Sequence, residues 1–157
     1  MNKLLAALIT GLFATAVYAQ TPATPAVVKA EASAQKDIAK AEGKEAKVAA
    51  KADEKVTKAA ADASEKKAKA HANAVKTHAD ATADVAKADP EDKMKAEAKA
   101  EKKVASANLK AEKKMIKADE KLEKTAIESA ADKAKASAKT TEVKAEAAAD
   151  VKKAAAK

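Results

Sequence analysis

Hydrophobic and polar positions change character once along this chain. Residues 4–16 (LLAALITGLFATA) form a continuous, mostly apolar run behind the short positive start Met1-Asn2-Lys3. Beyond residue 26 the larger apolar side chains come singly, at Val28, Ile38, Val48, Val56, Val75 and Val85, set among alanine and lysine. The first run is shorter than the roughly 20 apolar residues of a spanning helix. Val17-Tyr18-Ala19 then offers small residues at the two positions that a signal peptidase reads. Residues 1–19 therefore read as a secretory signal peptide cut between Ala19 and Gln20, with the remainder periplasmic or secreted from a bacterium. Residues 20–25, with Pro22 and Pro25, read as an extended Thr/Pro linker, because proline removes a donor and biases its predecessor away from helix.

Beyond the linker the chain repeats every eleven residues. Lys40 opens KAEGKEAKVAA, Lys51 opens KADEKVTKAAA, Lys95 opens KAEAKAEKKVA and Lys117 opens KADEKLEKTAI. Eleven residues in three turns is close to the α-helical period. Repeat positions 1, 5 and 8 then share one meridian and carry Lys40, Lys44, Lys47, Lys51, Lys55 and Lys58 in the first half. In the second half the same stripe holds Lys95, Lys99, Lys102, Lys110, Lys113, Lys117, Lys121 and Lys124. Position 3, with Glu31, Glu42, Asp53, Glu97 and Asp119, falls on the opposite side. Positions 6 and 10, nearest to it, hold Ile38, Val56, Val104, Met115 and Leu122, which predicts a weakly apolar, acid-bearing back face.

Alanine, lysine and glutamate head the helix-propensity scale, and Glu54–Lys58, Glu65–Lys69 and Glu120–Lys124 are favourable i,i+4 pairs. Asp89-Pro90 is the one strong break, with Asp89 as N-cap and Pro90 as first helical residue of the second arm. The expected fold is all-α, with long helical arms over 26–88 and 90–156, no globular core, and disorder of the isolated chain as the alternative. Around the break Lys76 and Lys87 stand against Asp80, Asp84, Asp89, Glu91 and Asp92, so two basic arms flank an acidic centre. With so little large apolar surface to zip the arms together, a kinked rod is preferred to a hairpin.

Charge narrows the function. The net charge is +8, and all the basic residues are lysine. Lysine is a hydrated point charge without the bidentate fork used to read base edges. Cysteine is absent, which removes disulfides and thiolate chemistry, and the only aromatics are Phe13 and Tyr18. His71 and His78 lie seven apart on one face, but two imidazoles without further ligands make a poor metal site. The serines lack a His–acid partner, and Gly11 and Gly43 are isolated, giving no phosphate loop. The expectation is a non-enzymatic protein without cofactor, metal or small-molecule substrate. Its fourteen-lysine stripe would meet anionic surfaces such as headgroups and envelope polyanions, and nucleic acid only without sequence preference.

The KAEGKEAKVAA-type blocks resemble the eleven-residue repeats of the amphipathic-helix group of late embryogenesis abundant proteins. That resemblance implies a shielding role and helix formation at surfaces or on drying. The composition also resembles the Ala/Lys/Glu-rich periplasmic stalk of the TolA envelope proteins, implying a spacer as the alternative function, with sequence-blind polyanion binding as a second alternative. Alanine faces and like-charged stripes give little association energy, so a monomer is expected. Intact-mass measurement of protein recovered from the periplasm of an expressing bacterium is expected to give a chain starting at Gln20. A mass that retains residues 1–19 would mean a retained anchor instead.

Overall fold

A computed structural model describes residues 24–156 of the chain, so the cleavage site at Ala19 and Gln20, and most of the expected linker, lie outside it. Among the described residues there are two helices, α1 over Pro25–Ala86 and α2 over Lys93–Ala155, and the fold is all-α. Helix α1 starts one residue earlier than the sequence implied. Thr24 C=O accepts from Val27 N–H at 2.9 Å and Val28 N–H at 3.2 Å. Pro25 is thus the first helical residue rather than linker, a position where its missing N–H costs nothing. The helix then runs unbroken through Gly43.

The break falls where expected, but its chemistry is shifted. Asp89-Pro90-Glu91-Asp92 forms a turn closed by Asp92 N–H donating to Asp89 C=O at 2.9 Å. Proline fits the second position of such a turn because its φ is already set. Asp92, not Asp89, is the N-cap residue: its C=O accepts from Ala96 N–H at 2.9 Å. The helical bounds at 86 and 93 therefore replace the expected 88 and 90.

The described chain falls into two compact units, Lys40–Thr141 and the paired segments 24–39 and 142–156. Within Lys40–Thr141 the chain is an antiparallel helical hairpin, which overturns the preferred rod. The pairing is in step. From Asp53 to Lys67 is fourteen residues forward on α1, and their partners Lys133 and Asp119 are fourteen residues apart in the reverse direction on α2. The smaller unit sets Ala30 and Ala34 against Val143 and Ala147 around a shallow hollow, with Ala147 buried.

The seam of the hairpin tracks the repeat. Covered or part-covered positions on α1 include Ala41, Glu45, Val48, Ala52, Val56, Ala59, Ala63, Lys67, Ala70 and Ala74, stepping by four, three, four, four, three. That stripe drifts by only about 20° per eleven residues on a 3.6-residue helix, so a facing helix stays on it for many turns. Its centre is repeat position 2: Ala41, Ala52, Ala63 and Ala74 on α1, then Ala96, Ala107 and Ala118 on α2, with a lysine just before Ala41, Ala52, Ala96 and Ala118. Val56, Val104, Met115 and Leu122, expected on a weakly apolar back face, are half-covered along this stripe, and Ile38 is half-covered in the smaller unit. Leu109, Ile116 and Ile127, among the largest aliphatics, instead face solvent.

Alanine closes this seam because burying it costs no side-chain entropy and its small size brings the two backbones close. Ala70, Ala74 and Ala111 form a buried cluster, with Met115 packed on it. Farther along α2, the position-2 alanine gives way to Ser129 and Thr140, both buried. Thr140 Oγ1 donates at 3.2 Å to Ala136 C=O on its own helix and lies 3.4 Å from Ala41 C=O across the seam. Ser129 Oγ has no hydrogen-bond partner among the described residues. An unsatisfied buried hydroxyl costs about 1–3 kcal/mol. Ser129→Ala is therefore expected to stabilise the hairpin by about 1–2 kcal/mol. Ser137→Ala, at an exposed position, should stay within about 0.5 kcal/mol. Thermal melts monitored by circular dichroism separate the two.

Candidate functional site: the lysine flanks of the hairpin

All fourteen lysines of the predicted stripe are exposed. They do not stand opposite the acids as two separate faces. Each first lysine of a repeat immediately precedes a seam alanine, so the stripe runs along one shoulder of the seam. Position-3 acids lie on the other shoulder, where lysines of the facing helix reach them.

Ion pairs cross the hairpin. Lys67 Nζ donates to the Asp119 carboxylate at 2.8 and 3.1 Å, and Lys103 Nζ to Asp84 at 2.6 Å. Lys133 bonds Asp53, and Lys55 lies 3.9 Å from Asp132. These side chains are 40–67% exposed, so each pair contributes about 0–1 kcal/mol. Their larger effect is on which residues stand opposite each other. Pairs within one helix join Lys58 to Glu54 at 2.8 Å, Lys69 to Glu65, and Lys95 to Asp92 at 3.2 Å. The two i,i+4 pairs are among those expected from the spacing.

Among the stripe lysines, Lys55, Lys58 and Lys95 are thus engaged, and Lys40 too has a partner. Lys99, Lys102 and Lys110 are brought together with Lys103 and Lys114 along one groove. Lys103 and Lys114 fall outside the eleven-residue stripe. Helix α2 alone puts them on the same face as Lys99 and Lys110, as the doublets Lys102-Lys103 and Lys113-Lys114 signalled, and pairing with α1 adds the alanine floor and the neutral wall. The remaining members are Lys44, Lys47 and Lys51 on α1, with Lys113, Lys117, Lys121 and Lys124 on α2.

His78 Nε2 lies 2.9 Å from Asn108 Oδ1 across the hairpin, while His71 lines a hollow with Met115 and Leu122. No group of three or more metal-ligating residues occurs among the described residues. Among the same residues no helix is long and apolar enough to cross a membrane.

Shifts in acidity track the ion pairs. The hydrogen bond from Lys103, reinforced by its charge, holds the Asp84 carboxyl below its ordinary value of 3.8. Lys58 does the same to Glu54 and Lys69 to Glu65, and Glu54 in turn raises Lys58. Comparison with family models, curated proteins and solved structures gives no match to this chain.

A depressed folded-state carboxyl stabilises the fold above the ordinary carboxylate value and loses that contribution as pH falls through the lowered one. The Lys103–Asp84 pair should therefore hold unchanged from neutrality to about pH 5 and dissolve only in strong acid. Titration of the Asp84 carboxyl by NMR is expected to give a midpoint below 3.8, and Lys103→Gln should return it to the ordinary range.

Proposed function

We propose that this protein is an exported, non-enzymatic helical coat that lies on anionic surfaces of the cell envelope and shields them through its lysine stripe. One observation carries the reading. The hairpin is closed by alanine, so zipping the helices leaves the stripe lysines exposed to water on the outside of the seam. Near an anionic membrane each such lysine is worth about 1 kcal/mol, fading over a Debye length of about 8 Å at physiological salt. Position-3 acids lie about a helix diameter away on their own helix, roughly 10 Å, and are largely screened there, while Lys55, Lys58 and Lys95 carry nearer carboxylates that they would exchange for headgroups.

Weak closure suits the same role. Alanine burial removes little apolar area per residue, so the arms open at modest cost. An arm laid on a surface exchanges the seam for contact with headgroups. A chain disordered when free and helical when adsorbed is the limiting form of this behaviour.

The test moves charge without changing its amount. Lys113, Lys117, Lys121 and Lys124 are transferred to the opposite meridian of α2 at constant composition. Co-sedimentation with phosphatidylglycerol vesicles at low salt is expected to weaken by about tenfold or more. Equal binding by the native and rearranged chains would mean that only net charge matters and would overturn the stripe as the binding element.

A further inference from the structure

The part of the hairpin near its turn holds a groove of about 500 Å³ between α1 and α2. Its floor is the seam itself, Ala70, Ala74 and Ala111, with Ala107 beside them. The α2 wall carries Lys99, Lys102, Lys103, Lys110 and Lys114, and the α1 wall contributes neutral Asn73 and Thr77. No acidic side chain lines it. Glu97, Glu101 and Glu112, the acids of this stretch of α2, lie about 140–180° around the helix from Lys110 at 100° per residue. Lys103 is held by Asp84. Among the described residues no carboxylate is within ion-pair distance of Lys99, Lys102, Lys110 or Lys114.

The lining is therefore cationic, with Asp84 the carboxylate beside its Lys103 end, and it is drawn out along α2. From Lys99 to Lys114 it runs beside α2 for about 22 Å at 1.5 Å per residue. A planar headgroup surface meets the convex back of a helix, whereas a concave channel between two helices admits a single strand. Ammonium groups on flexible stems satisfy phosphate charge without fixing its orientation. No aromatic side chain is present beyond Tyr18, so bases would find no stacking platform.

We infer that this groove binds a linear chain of phosphates, laid along α2 against the alanine floor and contacted by Lys99, Lys102, Lys110 and Lys114 without regard to sequence. The inference rests on the lysine-stripe reading, since Lys99, Lys102 and Lys110 belong to the stripe, but the lysines of the vesicle test, Lys113, Lys117, Lys121 and Lys124, do not line the groove, so the two can fail separately.

Two variants of equal charge decide the matter. One carries Lys99→Gln, Lys102→Gln, Lys110→Gln and Lys114→Gln; the other carries Lys36→Gln, Lys66→Gln, Lys135→Gln and Lys139→Gln, exposed lysines outside both the stripe and the groove. Fluorescence anisotropy with labelled inorganic polyphosphate, and in a second arm with single-stranded oligothymidylate, reads the dissociation constant across a salt series. The groove variant is expected to lose at least tenfold in one or both arms, and the arm affected identifies the source of the phosphate chain. Its slope of log affinity against log salt should fall by about 3, at about 0.7 for each neutralised phosphate. The control variant should stay within about threefold. Acylation footprinting of the unmutated chain is a second readout that needs no variant to fold: bound polyphosphate should protect Lys99, Lys102, Lys110 and Lys114 and leave Lys44, Lys47 and Lys51 reactive. Equal losses in the two variants, unchanged binding by the groove variant, uniform protection of all these lysines, or a groove variant that loses only phosphatidylglycerol vesicles would each overturn the inference.

Discussion

Close approach of two helix backbones across alanine is the interaction on which everything else in Lys40–Thr141 depends. A methyl group removes little area from water. It also gives up no rotamer freedom, and it lets main-chain atoms of one helix touch those of the other. Such a seam is shallow, so residues one position away from it remain in solvent on both shoulders. The sequence exploits this. Lysine before the alanine and acid after it place opposite charges on opposite shoulders, and antiparallel pairing brings the acid shoulder of one helix toward lysines of the other.

The helices themselves were legible from composition and period, because alanine, lysine and glutamate leave no competing conformation. The eleven-residue spacing of Lys40, Lys44, Lys47 and Lys51 also announced a face, and Val56, Met115 and Leu122 of the expected back face lie on the covered stripe. What misled was the size of the apolar side chains. Counting Val, Leu and Ile as anchors favours a rod, whereas the buried positions of α1 are Ala52, Ala63, Ala70, Ala74 and Ala81. Alanine is so common in this chain that its placement at repeat position 2 carries little contrast. Leu109, Ile116 and Ile127 point outward and pull the reading the wrong way. The groove lysines were half legible: Lys99, Lys102 and Lys110 belong to the stripe, Lys103 and Lys114 sit beside it on the same face of α2, and the alanine floor from α1 appears only with the pairing.

Electrostatics here is a matter of position more than of energy. None of the cross-hairpin pairs is buried, and each is worth little alone. Near the turn, α1 contributes Asp80 and Asp84 and a single lysine, Lys76, between them and His71, while α2 returns rich in lysine. That asymmetry clears carboxylates from one channel and keeps Lys103 tethered to Asp84 at its mouth. A uniform alternation of charge would have neutralised the same surface.

The regularity of the seam has a cost in uniqueness. A stripe that repeats every eleven residues looks the same to its partner after a slide of eleven, so alanine alone permits several alignments of nearly equal quality, like a ratchet without a pawl. Sliding one way sets Lys67 opposite Asn108 and Asp53 opposite Leu122, forfeiting both pairs. Sliding the other way moves the bend toward Lys95 and forces Pro90 into the interior of a helix, at about 3 kcal/mol. The turn and a few surface charges, negligible as contributors to stability, thus act as the pawl that leaves one alignment out of several.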